Sequence, residues 1–268
     1  MEIGSIEVGF IGVGGMGRPI LDRVLGAGLR VTAFVRRPQL AGELRRDGVT
    51  VVGSASEAAR LADALIVCLY SDAQLRSVMF EGGALAALRP GAALVNHVTG
   101  SPGLARELLD RAPPGVDVVD APMSGTPEDI RNGGLTLLVG LEADELGWVG
   151  PVLATYAEPI IRVGRVGDAQ RAKLVNNLLF TAHLRLAQEA IRLGASMGVE
   201  PSLLVAAVSR CSGASNAVSL LGGLPADEVI AAARPYLAKD VAAVRRVAAE
   251  LGVELGTLGE LASWVGTP

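Results

Sequence analysis

The sequence predicts an α/β fold: a doubly wound parallel sheet in the first part of the chain, then an all-helical domain led by one long helix. Three observations predict it. Short apolar runs alternate with helical stretches over residues 6–163, which is the pattern of repeated strand–helix–strand units. After Gly164 the strand signals stop, and helical patterning runs on to Pro268. Where the two meet, residues 168–197 place apolar side chains at Ala172, Val175, Leu179, Ala182, Leu186, Ala190, Leu193 and Met197, the spacing of one helix. The domain boundary therefore falls at 164/165, giving domains 1–164 and 165–268.

Composition narrows the possibilities. Of 268 residues, 50% are hydrophobic but only 3% aromatic, so a sizeable core must be built from Leu, Val, Ile and Ala. A net charge of −4 gives no reason to expect a nucleic-acid or acidic-membrane partner. Two cysteines, Cys68 and Cys211, and two histidines, His97 and His183, argue against a disulfide framework, a metal centre or a Ser-His triad. The first ten residues lack the basic region and apolar run of a signal peptide, and no apolar segment is long and clean enough to span a bilayer. A reduced, cytoplasmic, soluble protein acting on a small molecule without a metal is the expectation.

The first strand, 6–11, runs into Gly12-Val13-Gly14-Gly15-Met16-Gly17, then a helix over 15–25 and a second strand over 30–35. That is the context a G-x-G-x-x-G dinucleotide fingerprint requires. Gly12 permits the tight turn, Gly14 lets a pyrophosphate approach the backbone, and Gly17 lets the helix pack closely on the strand. The helix N-terminus offers N–H groups and a positive dipole end to the phosphates. The first domain is thus of Rossmann type. At the end of the second strand stand Val35, Arg36 and Arg37, where an NAD site would carry an acid for the ribose 2′-hydroxyl. Two guanidiniums suit a 2′-phosphate instead, so NADP is expected over NAD.

Further strands are expected at 49–52, 64–69, 92–96, 116–119, 135–139 and 159–163, with helices at 54–61 (capped by Ser54), 72–79, 84–88, 101–111 and 142–156. Ligands of such sheets bind beyond the carboxyl ends of the strands. This gathers Leu69-Tyr70-Ser71, Asn96 to Thr99 and Asp120 to Thr126 around one crevice. The last of these loops can hold an anion such as a carboxylate. Cys68 falls within a strand and reads as core.

On the long helix a second apolar line, Leu174, Leu178 and Leu184, makes the first half apolar nearly all round. A helix of this kind is buried on several sides, and its burial is completed by another subunit, giving a homodimer or homotetramer through the helical domain. Lys173 and Asn177 share one face, a turn apart. Alone, Lys173 reads equally as a lysine that snorkels to the surface. Later helices are expected at 201–208, 226–233, 237–251 and 255–264, with breaks at 194–198 and 212–223.

Taken in order, these motifs resemble the β-hydroxyacid dehydrogenases, the family of 3-hydroxyisobutyrate dehydrogenase and tartronate semialdehyde reductase. The resemblance runs through GFIGVGGMGRPI at 9–20, VRRP at 35–38, NHVTGSP at 96–102, DAPMSG at 120–125, GRVGDAQRAKLVNN at 164–177 and LAKD at 237–240. It implies that Lys173 is the general acid/base and that Asn177 orients substrate. It implies a carboxylate held by Ser124, Gly125 and Thr126, and cofactor contacts from Leu69, Tyr70, Thr99 and Lys239. Hydride would pass between the nicotinamide and a small β-hydroxyacid or semialdehyde. Burial would suit Lys173 to proton transfer near neutral pH.

The chain departs from the pattern at several points. Tyr70 stands where the family usually has Pro, Asn96 where it has an acid, and Val98 where it has a hydroxyl residue. The loop over 126–130 replaces Gly-Gly-x-x-Gly-Ala, with Glu128 and Asp129 near the expected clamp, and the C-terminus is short. Two other readings remain at this point: an imine reductase of the same two-domain plan, and a non-catalytic NADP-binding module.

Overall fold

A computed structural model describes residues 5–222 and 226–266, which fall into two compact units that divide between Lys173 and Leu174. In the first, β1 (Glu7–Ile11) is buried along most of its length and lies between β2 (Arg30–Phe34) and β4 (Ala64–Val67), parallel to both. Burial on both faces is why these strands read as continuous apolar runs. β3 (Thr50–Val52) pairs with β2, β5 (Ala93–Asn96) with β4, and β6 (Asp117–Asp120) with β5, all parallel. The sheet order 3-2-1-4-5-6 is that of a doubly wound dinucleotide fold.

Beyond β6 the sheet turns mixed. β8 (Leu135–Gly140) is antiparallel to β6 and to the two-residue β7 (Met123–Ser124), while β9 (Ala157–Gly164) runs parallel to β8. The sequence reading missed β7, because two residues carry no periodicity.

Helices α1 (Gly17–Gly26), α3 (Ala55–Leu61, capped by Ser54), α4 (Asp72–Arg76, continued by a wider π-type turn at Ser77–Glu81) and α5 (Pro102–Arg111) lie where expected. Two were not foreseen: α2 (Pro38–Arg46), which opens on a proline, and α6 (Pro127–Arg131). The helix expected at 84–88 is a series of turns. The one expected at 142–156 shrinks to α7 (Val149–Leu153). Glycines and the acidic run at 142–147 end regular structure there.

Two apolar clusters cover the two faces of the sheet. One joins Phe10, Ile20, Leu21, Ile66 and Leu137; the other joins Leu65, Val67, Leu75, Leu94 and Leu108.

Helix α8 (Asp168–Ser196) starts in the first unit and continues into the second. There α9 (Pro201–Val208), α10 (Asn216–Leu220), α11 (Ala226–Leu251) and α12 (Gly256–Leu261) follow, closed by a 3₁₀ turn at Ser263–Val265. The break expected near 234–236 is absent. α11 runs through Pro235, which forgoes the hydrogen bond its missing N–H would make and crowds its ring against the carbonyl of the preceding turn. α10 occupies part of the expected break at 212–223, with Ser215 as its cap. Leu174, Leu178 and Leu184 of α8 pack on Val218, Leu237, Val241 and Val244. Trp264 Nε1 donates to the Thr181 carbonyl at 3.1 Å, tying the end of the chain to α8.

The other apolar line of α8 behaves differently. Val175, Leu186, Leu193 and Met197 are exposed, Met197 by 75%. No helix among the described residues is long and apolar enough to cross a membrane.

Candidate active site

The glycine turn between β1 and α1 separates structural glycines from a ligand-facing one. Gly12 has φ +100°, and a Cβ there would stand 2.1 Å from the Cys68 carbonyl. A Cβ on Gly17 would meet the Gly12 carbonyl at 2.0 Å. Gly14 and Gly15 have nothing within 4 Å of a Cβ, so the chain's own packing does not require glycine there. An approaching pyrophosphate does. Helix α1 has no side-chain cap at Met16, and although the Arg18 N–H donates to the Gly14 carbonyl at 2.9 Å, the positive end of its dipole faces that space. The residues present therefore fit a dinucleotide.

Next to the turn opens a cleft of about 610 Å³ lined by Val13, Gly14, Gly15, Arg18, Arg37, Gln39, Leu40 and Glu43. Arg37 Nη2 donates to the Val13 carbonyl at 3.3 Å. Arg18 is held by Asp22 at 2.7 Å and Asp47 at 2.6 Å. Arg37 lines the cleft and Arg36 does not. Arg18 was not foreseen; its signal was its place in the first turn after the glycines. Val35 is half-buried at the end of β2.

The other crevice loops follow β4, β5 and β6. Leu69 lies against Gly12, its Cδ2 3.1 Å from where a Cβ would sit. Tyr70 is exposed and its N–H donates to Gln74 Oε1 at 3.0 Å. Asp72 accepts the Ser101 N–H at 3.0 Å and so links this loop to the one bearing the half-buried Thr99. Burial pushes the Cys68 thiol up to about 12, which leaves it protonated and not a nucleophile at neutral pH.

His97 is buried beneath the β6 loop. Its Nδ1 donates to the Ala121 carbonyl at 2.6 Å, so Nε2 accepts from the Tyr156 hydroxyl at 2.9 Å. Burial pulls its pKa down to about 4, and it stays neutral.

Ser124 is half-buried on β7 and pairs with Thr136, and Gly125 turns at φ +143°. Thr126 caps α6: its hydroxyl and N–H both donate to Asp129 Oδ2, at 2.7 and 2.6 Å. That cap turns the Asp129 carboxylate back onto its own helix. Glu128 is exposed and pairs with Arg131 at 3.0 Å.

Lys173, on α8, is buried, with 8% of its surface exposed. Asn177 follows one turn later, also 8% exposed. Within the second unit Asn177 Nδ2 donates to Asp240 Oδ2 of α11 at 2.6 Å. Asp240 Oδ1 lies 3.4 Å from Lys239 Nζ. Asp240, which ends the LAKD motif, is a candidate site residue that reading the sequence passed over; its hydrogen bond to Asn177 brings it in. Among the described residues no group of three or more His, Cys, Asp or Glu side chains is placed to hold a metal.

Comparison with known proteins agrees with this geometry. Residues 7–164 match the family model of the NAD-binding domain of 6-phosphogluconate dehydrogenase. Residues 167–265 match that of the NAD-binding region of NADP-dependent 3-hydroxyisobutyrate dehydrogenase. The chain is 31% identical to 2-(hydroxymethyl)glutarate dehydrogenase of Eubacterium barkeri over 80% of this chain and 72% of that protein. It is also 31% identical to L-threonate dehydrogenase of Cupriavidus necator, over 79% of this chain and 72% of that one. Among solved structures, Mycobacterium tuberculosis 3-hydroxyisobutyrate dehydrogenase with L-serine superposes with a TM-score of 0.86 at 27% identity, covering 97% of this chain and 92% of that one. The chain belongs to the β-hydroxyacid dehydrogenases, NAD(P)-binding oxidoreductases that act on hydroxyl groups.

Proposed function

We propose that this dehydrogenase prefers NADP, interconverts a small β-hydroxyacid and its semialdehyde or oxo acid, and uses Lys173 as the general acid/base. The observation that carries the reading is a lysine buried on α8, with an asparagine one turn on that is itself fixed by a carboxylate.

When bound, the nicotinamide supplies or takes the hydride. Lys173 Nζ gives a proton to the substrate oxygen in reduction and takes it back in oxidation. Asn177 orients that oxygen. Ser124 and Gly125 hold the carboxylate, and Leu69, Tyr70, Thr99 and Lys239 border the cofactor. Thr126 serves the clamp through the helix cap it makes with Asp129. The NADP preference rests on the arginine-lined cleft beside the glycine turn and on the lack of an acid at Val35. The division of labour follows the boundary at 164/165: residues 1–164 are the cofactor-binding domain and 165–268 the substrate and oligomerisation domain.

The exposed line Val175, Leu186, Leu193 and Met197 supports a second copy of this chain as its cover, because a run of about 33 Å of apolar helix is long enough to seed a standard interface. A cytoplasmic homodimer or homotetramer is the assembly proposed.

The test is NADPH and NADH oxidation with a panel of 3-oxo acids, semialdehydes, glyoxylate and cyclic imines. Turnover of a semialdehyde or oxo acid, faster with NADPH, is the expected result. Turnover of imines alone, or tight NADPH binding with no turnover, would overturn the reading.

A further inference from the structure

We infer that Gln170 and Asp120 form a positioning pair that brackets Thr99 and holds the Lys173-bearing turn of α8 in register with it. The inference rests on the reading of Lys173 as proton donor and deepens it.

Asp120 closes β6 and is fully buried, and Gln170 is 1% exposed. Asp120 Oδ1 accepts from Gln170 Nε2 at 2.6 Å, and Oδ2 accepts the Gly167 N–H at 3.0 Å, in the turn that leads into α8. The Asn96 side chain, its register partner on β5, also hydrogen-bonds it. Gln170 in turn pairs with the backbone on both sides of Thr99. Its Nε2 donates to the Val98 carbonyl at 3.0 Å, and its Oε1 accepts the Gly100 N–H at 2.8 Å. One side-chain amide thus does for the Thr99 segment what a neighbouring strand would do.

An amide can be turned over. Turned, its oxygen would face the Val98 carbonyl and the Asp120 carboxylate, and its NH₂ would face the Gly100 N–H. Asp120 has no proton to give when ionised, so it selects the orientation that brackets Thr99. The family's acid at position 96 would set two carboxylates side by side here, and Asn96 in this chain supplies a donor instead.

A helix can be fixed to a sheet more cheaply by apolar packing than by a buried carboxylate with no cation among its hydrogen-bond partners. Directional bonds add position, and a displacement of about 1 Å at a reacting group can lower a rate roughly 100-fold. Lys173 lies three residues beyond Gln170 on the same helix, so any shift of Gln170 is passed to it. The pair acts through Thr99 and Lys173 and touches neither reactant; both are positioning residues.

The test compares the whole protein with Gln170→Leu, Asp120→Asn and the double variant Asp120→Asn/Gln170→Glu. In the double variant an asparagine Nδ2 donates to a glutamate oxygen, remaking the link between positions 120 and 170 and keeping acceptors for the Gly167 and Gly100 N–H groups, while the bond to Val98 is lost. The readouts are hydrogen exchange at the Gly100 and Gly167 amides, NADPH affinity by fluorescence, melting temperature, and kcat with the panel compound of highest kcat/KM. For Gln170→Leu we expect Gly100 to exchange at least about 10-fold faster, NADPH to bind about 10-fold more weakly and kcat to fall about 30-fold with KM nearly unchanged. With Gln170→Glu measured alone as well, the double variant should recover kcat beyond the product of the Asp120→Asn and Gln170→Glu effects. Unchanged Gly100 exchange with NADPH affinity and kcat within about twofold would overturn the inference. So would losses that merely track the fraction of unfolded protein. A Lys173→Ala protein with wild-type turnover would overturn the proton-donor reading and the Lys173 half of the inference, while Gly100 exchange and NADPH affinity would still decide the bracket around Thr99.

Discussion

Asn177 Nδ2 donates to Asp240 Oδ2 at 2.6 Å, so the residue one turn beyond Lys173 takes its orientation from a carboxylate on α11. The bond settles which end of the Asn177 amide faces away from α11: its NH₂ is turned to Asp240 and its oxygen elsewhere. Asp240→Leu should therefore lower kcat/KM by about 10–100-fold through misplacement of Asn177, with NADPH affinity little changed. Asp240→Asn should fall between the two proteins. Equal kcat/KM for Asp240→Leu and wild type would remove Asp240 from the site.

The glycine turn offers a separation of folding from binding. Gly14→Ala meets no atom within 4 Å, so its melting temperature should match wild type while NADPH affinity falls at least about 10-fold. Gly12→Ala, with φ +100° and a carbonyl 2.1 Å from the new Cβ, should lose stability as well. In the adjacent cleft, Arg37→Ala should weaken NADPH by roughly 10–100-fold and NADH far less, the size of a lost charge-assisted bond. Arg36→Ala should discriminate less, because Arg36 does not line the cleft.

Two buried groups give the fold opposed pH dependences. Desolvation raises Asp120 from 3.8 to about 6; its contribution is full below the unfolded value and is lost as pH rises through 6. Desolvation lowers His97 from 6.5 to about 4, against the opposing pull of the Ala121 carbonyl. Its contribution is full above 6.5 and is lost as pH falls toward 4. Between about pH 4 and 6 the two partly cancel. Relative to wild type, His97→Gln should gain urea stability on acidification across that window, and Asp120→Asn should lose it more steeply. Parallel urea midpoints for all three proteins from pH 4 to 7 would show that neither group titrates as described.

The exposed apolar line of α8 bears on assembly. Leu186 is 49% exposed and Leu193 62%. Leu186→Glu with Leu193→Glu should shift the sedimentation coefficient from oligomer to monomer while leaving the core of the helical unit intact, because Leu174, Leu178 and Leu184 carry that core. A wild-type protein that sediments as a monomer at micromolar concentration would contradict the proposed assembly.

Much of this was legible before any coordinates. Strands buried on both faces announce themselves as apolar runs, and the glycine turn sits in the strand–turn–helix context that its spacing predicted; the roles proposed for the arginines after β2 and the lysine on α8 come from their sequence contexts. What escaped has physical reasons. α2 and α6 open on prolines, which the eye takes for loop, although proline is well placed in a first helical turn. The two helices expected at 226–233 and 237–251 are one, α11, because packing on both sides carries it through Pro235. The apolar line at Val175, Leu179 and Leu186 was expected to be buried, in part by another subunit, and it is exposed in the single chain: periodicity reports a stripe and not what covers it. Asp120, Gln170 and Asp240 each lie in a motif quoted for another residue. Their importance comes from partners 50, 70 and 63 positions away, a separation that local pattern does not record.

The most direct measurement is single-turnover NADPH oxidation by Lys173→Ala, run beside wild type with the carbonyl substrate the panel identifies and with NADPH affinity measured on both. The account predicts a rate about 10²–10⁴-fold lower, the size of a lost general acid, at nearly unchanged NADPH affinity. A Lys173→Ala rate within about threefold of wild type would contradict it.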